Sequence, residues 1–386
     1  MELSLTLRSQ SQCLSFSSPF PRTIPISPKL NKPTSLTVRA KKKPSSIEGV
    51  SDELNAIASQ NLDFAPSRRR VREAFTEVHQ QLDHYLFKNA PAGIRTEEWY
   101  ERNSRGLEIF CKSWMPEPGV PIKGALCFCH GYGGTCTFFF EGIAKQFAAS
   151  GYGVYAMDFP GFGLSEGLHG YIPNFDDLVD DVIEQYTKIK ARPEVRELPR
   201  FIMGQSMGGA IALKVHLKEP SDWDGVILVA PMCKIADEML PSTTTLKVLN
   251  LLSKVTPKAK LFPYKDLNEF IFREPGKRKL AVYNVISYDD KTRLKTGMEL
   301  LSATQDIESQ LQKVSAPLLI LHGAEDKVTD PLVSQFLYEK ASSKDKTLKI
   351  YEEGYHGIME GEPDDRIFAV HNDIISWLDF RCLLIN

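Results

Sequence analysis

The sequence lacks any apolar run near the roughly 18–20 residues that a membrane-spanning helix needs. Its longest apolar runs, such as GVILVAP (225–231) and APLLILHG (316–323), have the length of buried strands in a parallel sheet. It lacks a basic excess: 47 Lys and Arg stand against 49 Asp and Glu, for a formal net charge of −2. Nothing in that balance supplies the clustered cations of a nucleic-acid footprint. It also lacks a disulfide framework. The seven cysteines are an odd count without a repeated spacing, which points to a reducing compartment. Cys127, Cys129, His130 and Cys136 lie close together, but no second CxxC pair completes four metal ligands. Cys127 and Cys129 sit two apart in an apparent strand and point the same way, so they read as buried free thiols and no metal is expected.

A different absence marks the N-terminus. Residues 1–43 contain one acid, Glu2, among many Ser, Thr, Pro, Arg and Lys, and have no apolar core of secretory type. Basic, Ser-rich and acid-poor composition is that of an organelle transit peptide. The prolines of PFPRTIPISP would break the amphipathic helix of a mitochondrial signal, and the Val-Arg-Ala before KKK (41–43) resembles a plastid processing site. The segment is therefore expected to be a plastid address, with the mature protein in the chloroplast.

What remains is long enough for one large α/β domain with an insertion. Residues 44–96 form a polar N-terminal extension. Its apolar stripe of Val71, Phe75, Val78, Leu82, Tyr85 and Leu86 predicts one helix docked on the main domain. Strands are expected at 97–103 and 107–114, split by a turn at NSRG. Apolar segments at 124–131, 151–161, 200–206, 223–231, 315–323 and 347–353 then alternate with helical patterns, including 173–190. That rhythm predicts a mostly parallel central sheet with helices on both faces, in core portions 97–232 and 303–386. Residues 233–302 break the rhythm and predict a helical cap over the strands' C-terminal ends, where ligands bind in such sheets. Its helix LKVLNLLSKV (246–255) is read as packing over a pocket, with contact to a lipid surface as the alternative.

The chemistry centres on GQSMG (204–208), which fits G-x-S-x-G. This spacing suits a serine held on a sharp strand-to-helix turn, where only small neighbours let the backbone pass. The apolar strand RFIM before it and the helix-forming AIALKVHLK after it supply that context. Ser206 is the expected nucleophile. A serine hydroxyl needs a base oriented by a carboxylate, and in this chain order the acid and then the histidine follow the serine. His356, in EEGYHG, is the expected base; Glu325, Asp326 and Asp330 are the candidate acids. Two backbone N–H donors must hold the oxyanion. Met207, after the nucleophile, is one; Tyr132, in the loop HGYGG (130–134), is assigned as the other. That loop lacks the G-K-[ST] ending of a phosphate loop. His322 reads as structural and His371 as helix packing.

Together HGYGG, DFPGFGLSEG (158–167), GQSMGG, HGAEDKVTD (322–330) and YHGIMEGE (355–362) resemble the α/β-hydrolase superfamily, in its monoacylglycerol lipase, lysophospholipase and caffeoylshikimate esterase-like branch. The resemblance covers roughly residues 100–380. It implies an α/β-hydrolase fold and picks Asp326, the Asp of H-G-x-x-D, as the acid. It implies a cofactor-free serine hydrolase acting on a small-molecule acyl ester of lipid type, and it makes Asp158 structural. Tyr132 departs from the small residue often found in lipase relatives, and its hydroxyl is placed to narrow the pocket or touch substrate. Acyl transfer and hydroxycinnamoyl-ester cleavage would use the same residues. A non-catalytic ligand-binding protein on this scaffold would more often have lost one of the three.

Overall fold

The computed structural model describes residues 46–234, 242–262 and 268–385. The expected transit segment and parts of the expected cap (235–241 and 263–267) lie outside the described residues.

The extension carries α1 (Asp52–Ala58), α2 (Ala65–Ala74), α3 (Thr76–Gln80) and α4 (Tyr85–Lys88). The single helix expected over 71–86 is thus three short ones, and α2 begins earlier, with a proline in its first turn. The stripe is nevertheless real: Val71, Phe75, Leu82 and Leu86 are buried. α4 packs against α5 (Phe139–Ala149), whose Gly142 abuts the Leu86 carbonyl so tightly that a Cβ would lie 2.0 Å from it.

β1 (Arg95–Arg102) and β2 (Glu108–Met115) form an antiparallel hairpin, turning through Gly106 at φ 78°. Then follow β3 (Gly124–Cys129), α5, β4 (Tyr152–Met157), α6 (Phe175–Lys190), β5 (Arg200–Gln205), α7 (Met207–Lys218) and β6 (Gly225–Val229). The Asn174 side chain caps α6 by accepting from the Asp176 and Asp177 amides at 2.8 and 3.1 Å. Between β6 and the next strand lie α8 (Thr243–Val255), α9 (Asn268–Ile271), α10 (Pro275–Ala281) and α11 (Leu294–Glu308). β7 (Leu318–Gly323), α12 (Pro331–Lys340), β8 (Lys346–Tyr351) and α13 (Asp364–Ile385) complete the chain.

The eight strands form one sheet in the order β1-β2-β4-β3-β5-β6-β7-β8. β2 runs antiparallel to β4, and every pairing beyond it is parallel. The strand period divides the core in two. Ala125, Cys127 and Cys129 face one layer, with Val179 of α6 and Ile211 of α7. Leu126 and Phe128 face the other, with Phe147 of α5 and Ile374 of α13. Burial on both sides explains why these strands read as continuous apolar runs.

α8 departs from its expected role. Only Leu249 and Ser253 of this helix are buried, while Val248, Leu251, Leu252 and Val255 are exposed, Leu251 at 66% and Val255 at 72%. One side of the helix packs against α11, and its other side is an apolar stripe facing solvent. No helix among the described residues is long and apolar enough to cross a membrane.

Candidate active site

The C-terminal ends of β3, β5, β6, β7 and β8 converge on one edge, and the expected site residues lie there. β5 ends at Gln205, and Ser206 turns the chain into α7 with φ 55° and ψ −120°. A non-glycine residue in this region is strained, and the strain is held by its surroundings. The Ser206 amide donates to Val229 O at 2.9 Å, and its carbonyl accepts from Met232 N at 2.9 Å and Gly209 N at 2.9 Å. The turn also requires its glycines. A Cβ on Gly208 would lie 1.9 Å from Cys129 O, and one on Gly204 would lie 2.1 Å from Gly208 O. Gly208→Ala is expected to cost about 3 kcal/mol of stability, because β3 and α7 must separate to admit the methyl group. Urea unfolding of the variant checks this; an unchanged midpoint would show that the contact is slack.

The glycine loop after β3 closes over the serine. A Cβ on Gly131 would sit 3.4 Å from Ser206 Cβ. Tyr132 and Met207, the expected oxyanion donors, directly follow Gly131 and Ser206 in the chain, and α7 directs its N-terminal positive dipole end to Ser206. The Tyr132 ring packs edge-on against Phe162 and Tyr288, at centroid distances of 5.6 and 5.9 Å. Its hydroxyl is buried facing Thr292 without a partner at hydrogen-bonding distance, so the bulky residue serves as a contact between this loop and the cap.

On the other side, His356 and Asp326 are paired: Nδ1 lies 2.7 Å from Asp326 Oδ2, and both side chains are buried. The alternative acids are placed elsewhere. Glu325 is exposed, and the Asp330 carboxylate caps α12 by accepting from Leu332 N at 2.8 Å. Sequence reasoning missed how many groups hold Asp326. Its Oδ1 accepts from Val328 N at 2.7 Å and Thr329 N at 3.0 Å. Its Oδ2 meets Thr329 Oγ1 at 2.9 Å and His322 Nε2 at 3.0 Å as well as His356. His322 Nε2 also faces Thr329 O at 2.9 Å. Two acceptors at Nε2 put the proton there, so Nδ1 accepts from Ser334 Oγ at 2.6 Å. His322, four residues before Asp326 and emerging from the same strand, is therefore a second imidazole on this carboxylate.

The electrostatics follow from these contacts. Burial opposes charge on Asp326, but the two histidines and the hydrogen bonds outweigh it and hold the carboxyl far below its ordinary range. Burial also opposes the His356 imidazolium, and the adjacent Asp326 carboxylate overcomes it, raising the pKa above its ordinary value. A base must be neutral to take a proton. The acid limb of kcat/KM is accordingly expected to have its midpoint above about 6.5, the unperturbed histidine value, with activity rising through it as pH increases. A pH profile on a soluble ester tests this, and a midpoint below that value would contradict it.

Among the described residues no hydrogen bond joins Ser206 Oγ to His356. Such bonds are often open until substrate arrives. The two halves are linked through the scaffold instead: Thr329 Oγ1 donates toward Ala230 O (3.1 Å), one residue beyond the Val229 carbonyl that holds Ser206. Gln205 Nε2 also donates to Glu360 Oε1 at 2.8 Å, tying the residue before the serine to the loop carrying His356.

The remaining expectations are placed as follows. Asp158 is fully buried and accepts from Cys136 N (2.7 Å), Leu164 N (2.8 Å) and Thr135 Oγ1 (3.1 Å), a structural set of contacts. His371 is buried against Met359 O. His130 spends Nδ1 on Gly131 O and Nε2 on Phe159 N, while Cys127 and Cys136 face opposite layers of the core. No group of three or more His, Cys, Asp or Glu among the described residues is arranged to hold a metal ion.

The family model described as serine aminopeptidase, S33, matches residues 120–364. The chain belongs to this α/β-hydrolase family. Among curated relatives of this S33 hydrolase, caffeoylshikimate esterase of Arabidopsis thaliana is 34% identical over 83% of the chain and 96% of its own length. Human monoglyceride lipase is 32% identical over 72% of the chain and 89% of its own length. A soluble variant of Saccharomyces cerevisiae monoglyceride lipase, solved with a substrate analog, superposes with a TM-score of 0.64 at 22% identity, over 74% of this chain and 95% of that one. The S33 hydrolase thus falls in the lipase and esterase branch, and its sheet and surrounding helices are those of the solved members.

Proposed function

We propose that the protein hydrolyses carboxylic esters through an acyl-enzyme on Ser206. The observation that carries this reading is the buried 2.7 Å Asp326–His356 pair at the sheet edge that also presents the strained Ser206. In this mechanism Ser206 Oγ attacks the acyl carbon while His356 Nε2 takes its proton. Asp326 keeps the Nδ1 proton in place and stabilises the imidazolium that forms. The Tyr132 and Met207 amides hold the oxyanion. His356 then protonates the leaving alcohol and activates the water that releases the acid. No metal or organic cofactor enters any step.

The proposed substrate is a lipid ester with one acyl chain, a monoacylglycerol or a lysophospholipid. Support comes from the monoglyceride lipases among the relatives and from the apolar stripe on α8. That stripe is flanked by Lys247, Lys254 and Lys258, with no acid between 243 and 262, which suits contact with a lipid surface. A second reading, hydroxycinnamoyl-ester cleavage, is favoured by the 34% identity to caffeoylshikimate esterase. The test is a hydrolysis panel of monoacylglycerols of several chain lengths, lysophospholipid, triacylglycerol and a hydroxycinnamoyl ester, with alcohol acceptors added to reveal acyl transfer. Monoacyl lipids are expected to turn over fastest, with water as the acceptor. A hydroxycinnamoyl ester outpacing every lipid would overturn the substrate assignment and leave the mechanism standing.

A further inference from the structure

Arg68 of α2 is fully buried, with no carboxylate in hydrogen-bond contact. Its guanidinium is spent on backbone carbonyls. Nε donates to Gly163 O (2.5 Å), Nη1 to Leu62 O (2.9 Å), and Nη2 to Ser165 O (2.6 Å) and Gly167 O (3.5 Å). Burial lowers its pKa to about 10, which leaves it charged under working conditions. A buried cation is costly; the nearby Asp158 and Asp63 carboxylates favour its charge, and its hydrogen bonds go to the backbone it holds. Here they fix a loop about a hundred residues away in sequence. Arg69 adds a bond from Nε to Leu164 O at 2.9 Å.

That loop supports the glycine loop over Ser206. Asp158 accepts from Leu164 N within its own loop and from Cys136 N and Thr135 Oγ1 across it. Phe159 N donates to His130 Nε2 (3.2 Å), and His130 Nδ1 donates to Gly131 O (2.8 Å). The chain of contacts therefore runs from Arg68 through 158–167 to the backbone on either side of Tyr132. The same segment reaches the other walls of the site. Asp63 accepts His169 N at 3.0 Å and Arg293 Nη2, from the root of the cap, at 2.6 Å. His84 Nε2 donates to Glu360 O at 3.0 Å, beside the loop of His356.

We propose that residues 46–94 are a clamp on the reaction site, and that Arg68 is a positioning residue that sets the Tyr132 amide for the oxyanion. The segment precedes the 120–364 stretch matched by the family model. The inference rests on the oxyanion assignment made above.

The test uses full-length Arg68→Lys, Arg68→Ala and Arg69→Met with a soluble short-chain nitrophenyl ester, alongside Ser206→Ala. Folded Arg68 variants are expected to lose roughly 10- to 100-fold in kcat with KM within about twofold, as for a misplaced oxyanion donor. Millimolar methylguanidinium is expected to restore kcat to Arg68→Ala by refilling the carbonyl cage. An unchanged kcat, or a guanidinium effect on the melting temperature alone, would overturn the inference. If neither Arg68 variant folds, Arg69→Met decides: its side chain is half-exposed, and a several-fold kcat loss at constant KM supports the clamp, whereas wild-type kcat refutes it. Activity surviving in Ser206→Ala would instead mark failure of the underlying mechanism.

Discussion

Ser206→Ala is expected to lower ester turnover by roughly 10⁵-fold or more while leaving the protein folded. The size follows from removing the only atom that forms the covalent intermediate, after which the base has nothing to deprotonate but water. The intact fold follows from the structure of the turn. Alanine keeps the Cβ, so the φ of 55° is no more strained than before. The hydrogen bonds that hold the turn use the backbone of Ser206, and among the described residues Oγ contributes none. Thermal melting and kinetics on the same sample separate the two statements. Retained activity in a pure preparation would remove Ser206 from the mechanism.

Asp326→Asn is expected to reduce kcat by roughly 10⁴-fold, equivalent to about 5 kcal/mol of transition-state stabilisation. The carboxylate accepts hydrogen bonds from Val328 N, Thr329 N, His322 Nε2 and His356 Nδ1 and donates none. An amide in its place must turn an N–H toward one of these donors. If that group faces His356, Nδ1 becomes the acceptor and the proton moves to Nε2, where it blocks the attack on serine. The substitution also removes the charge that raises the His356 pKa, so any residual activity should titrate at lower pH than the parent. A residual acid limb at the parent's position would show that Asp326 does not set the charge on His356.

Much of the site was legible because its parts are local. The glycines of 204–208 must surround a tight turn, the apolar runs must be buried strands, and the order of serine, acid and histidine is written along the chain. Physics alone could not choose between Asp326 and Asp330, since both follow β7 closely; only the folded loop shows one meeting His356 and the other capping α12. His322 reads as structural in sequence because it precedes the acid, and nothing there shows its partners. The loop folds back so that Asp326 and Thr329 are among them. Arg68 is a stronger case. Its partners are carbonyl oxygens, which every residue has, so no pattern of residue types announces the contact. The helix expected over 71–86 failed for a related reason: the stripe gives the buried face but not where the helix breaks along it. α8 shows the reverse limit, for an apolar stripe states that something should cover it without naming what.

The central claim is a covalent acyl intermediate on Ser206 maintained by His356 and Asp326. The most direct measurement is mass spectrometry of the protein quenched during turnover of a slowly hydrolysed nitrophenyl ester, followed by peptide mapping. One acyl group on the peptide containing Ser206, absent from Ser206→Ala and formed far more slowly in His356→Ala, is the predicted result. An acyl group on another residue, or steady hydrolysis with none at all, would contradict the account.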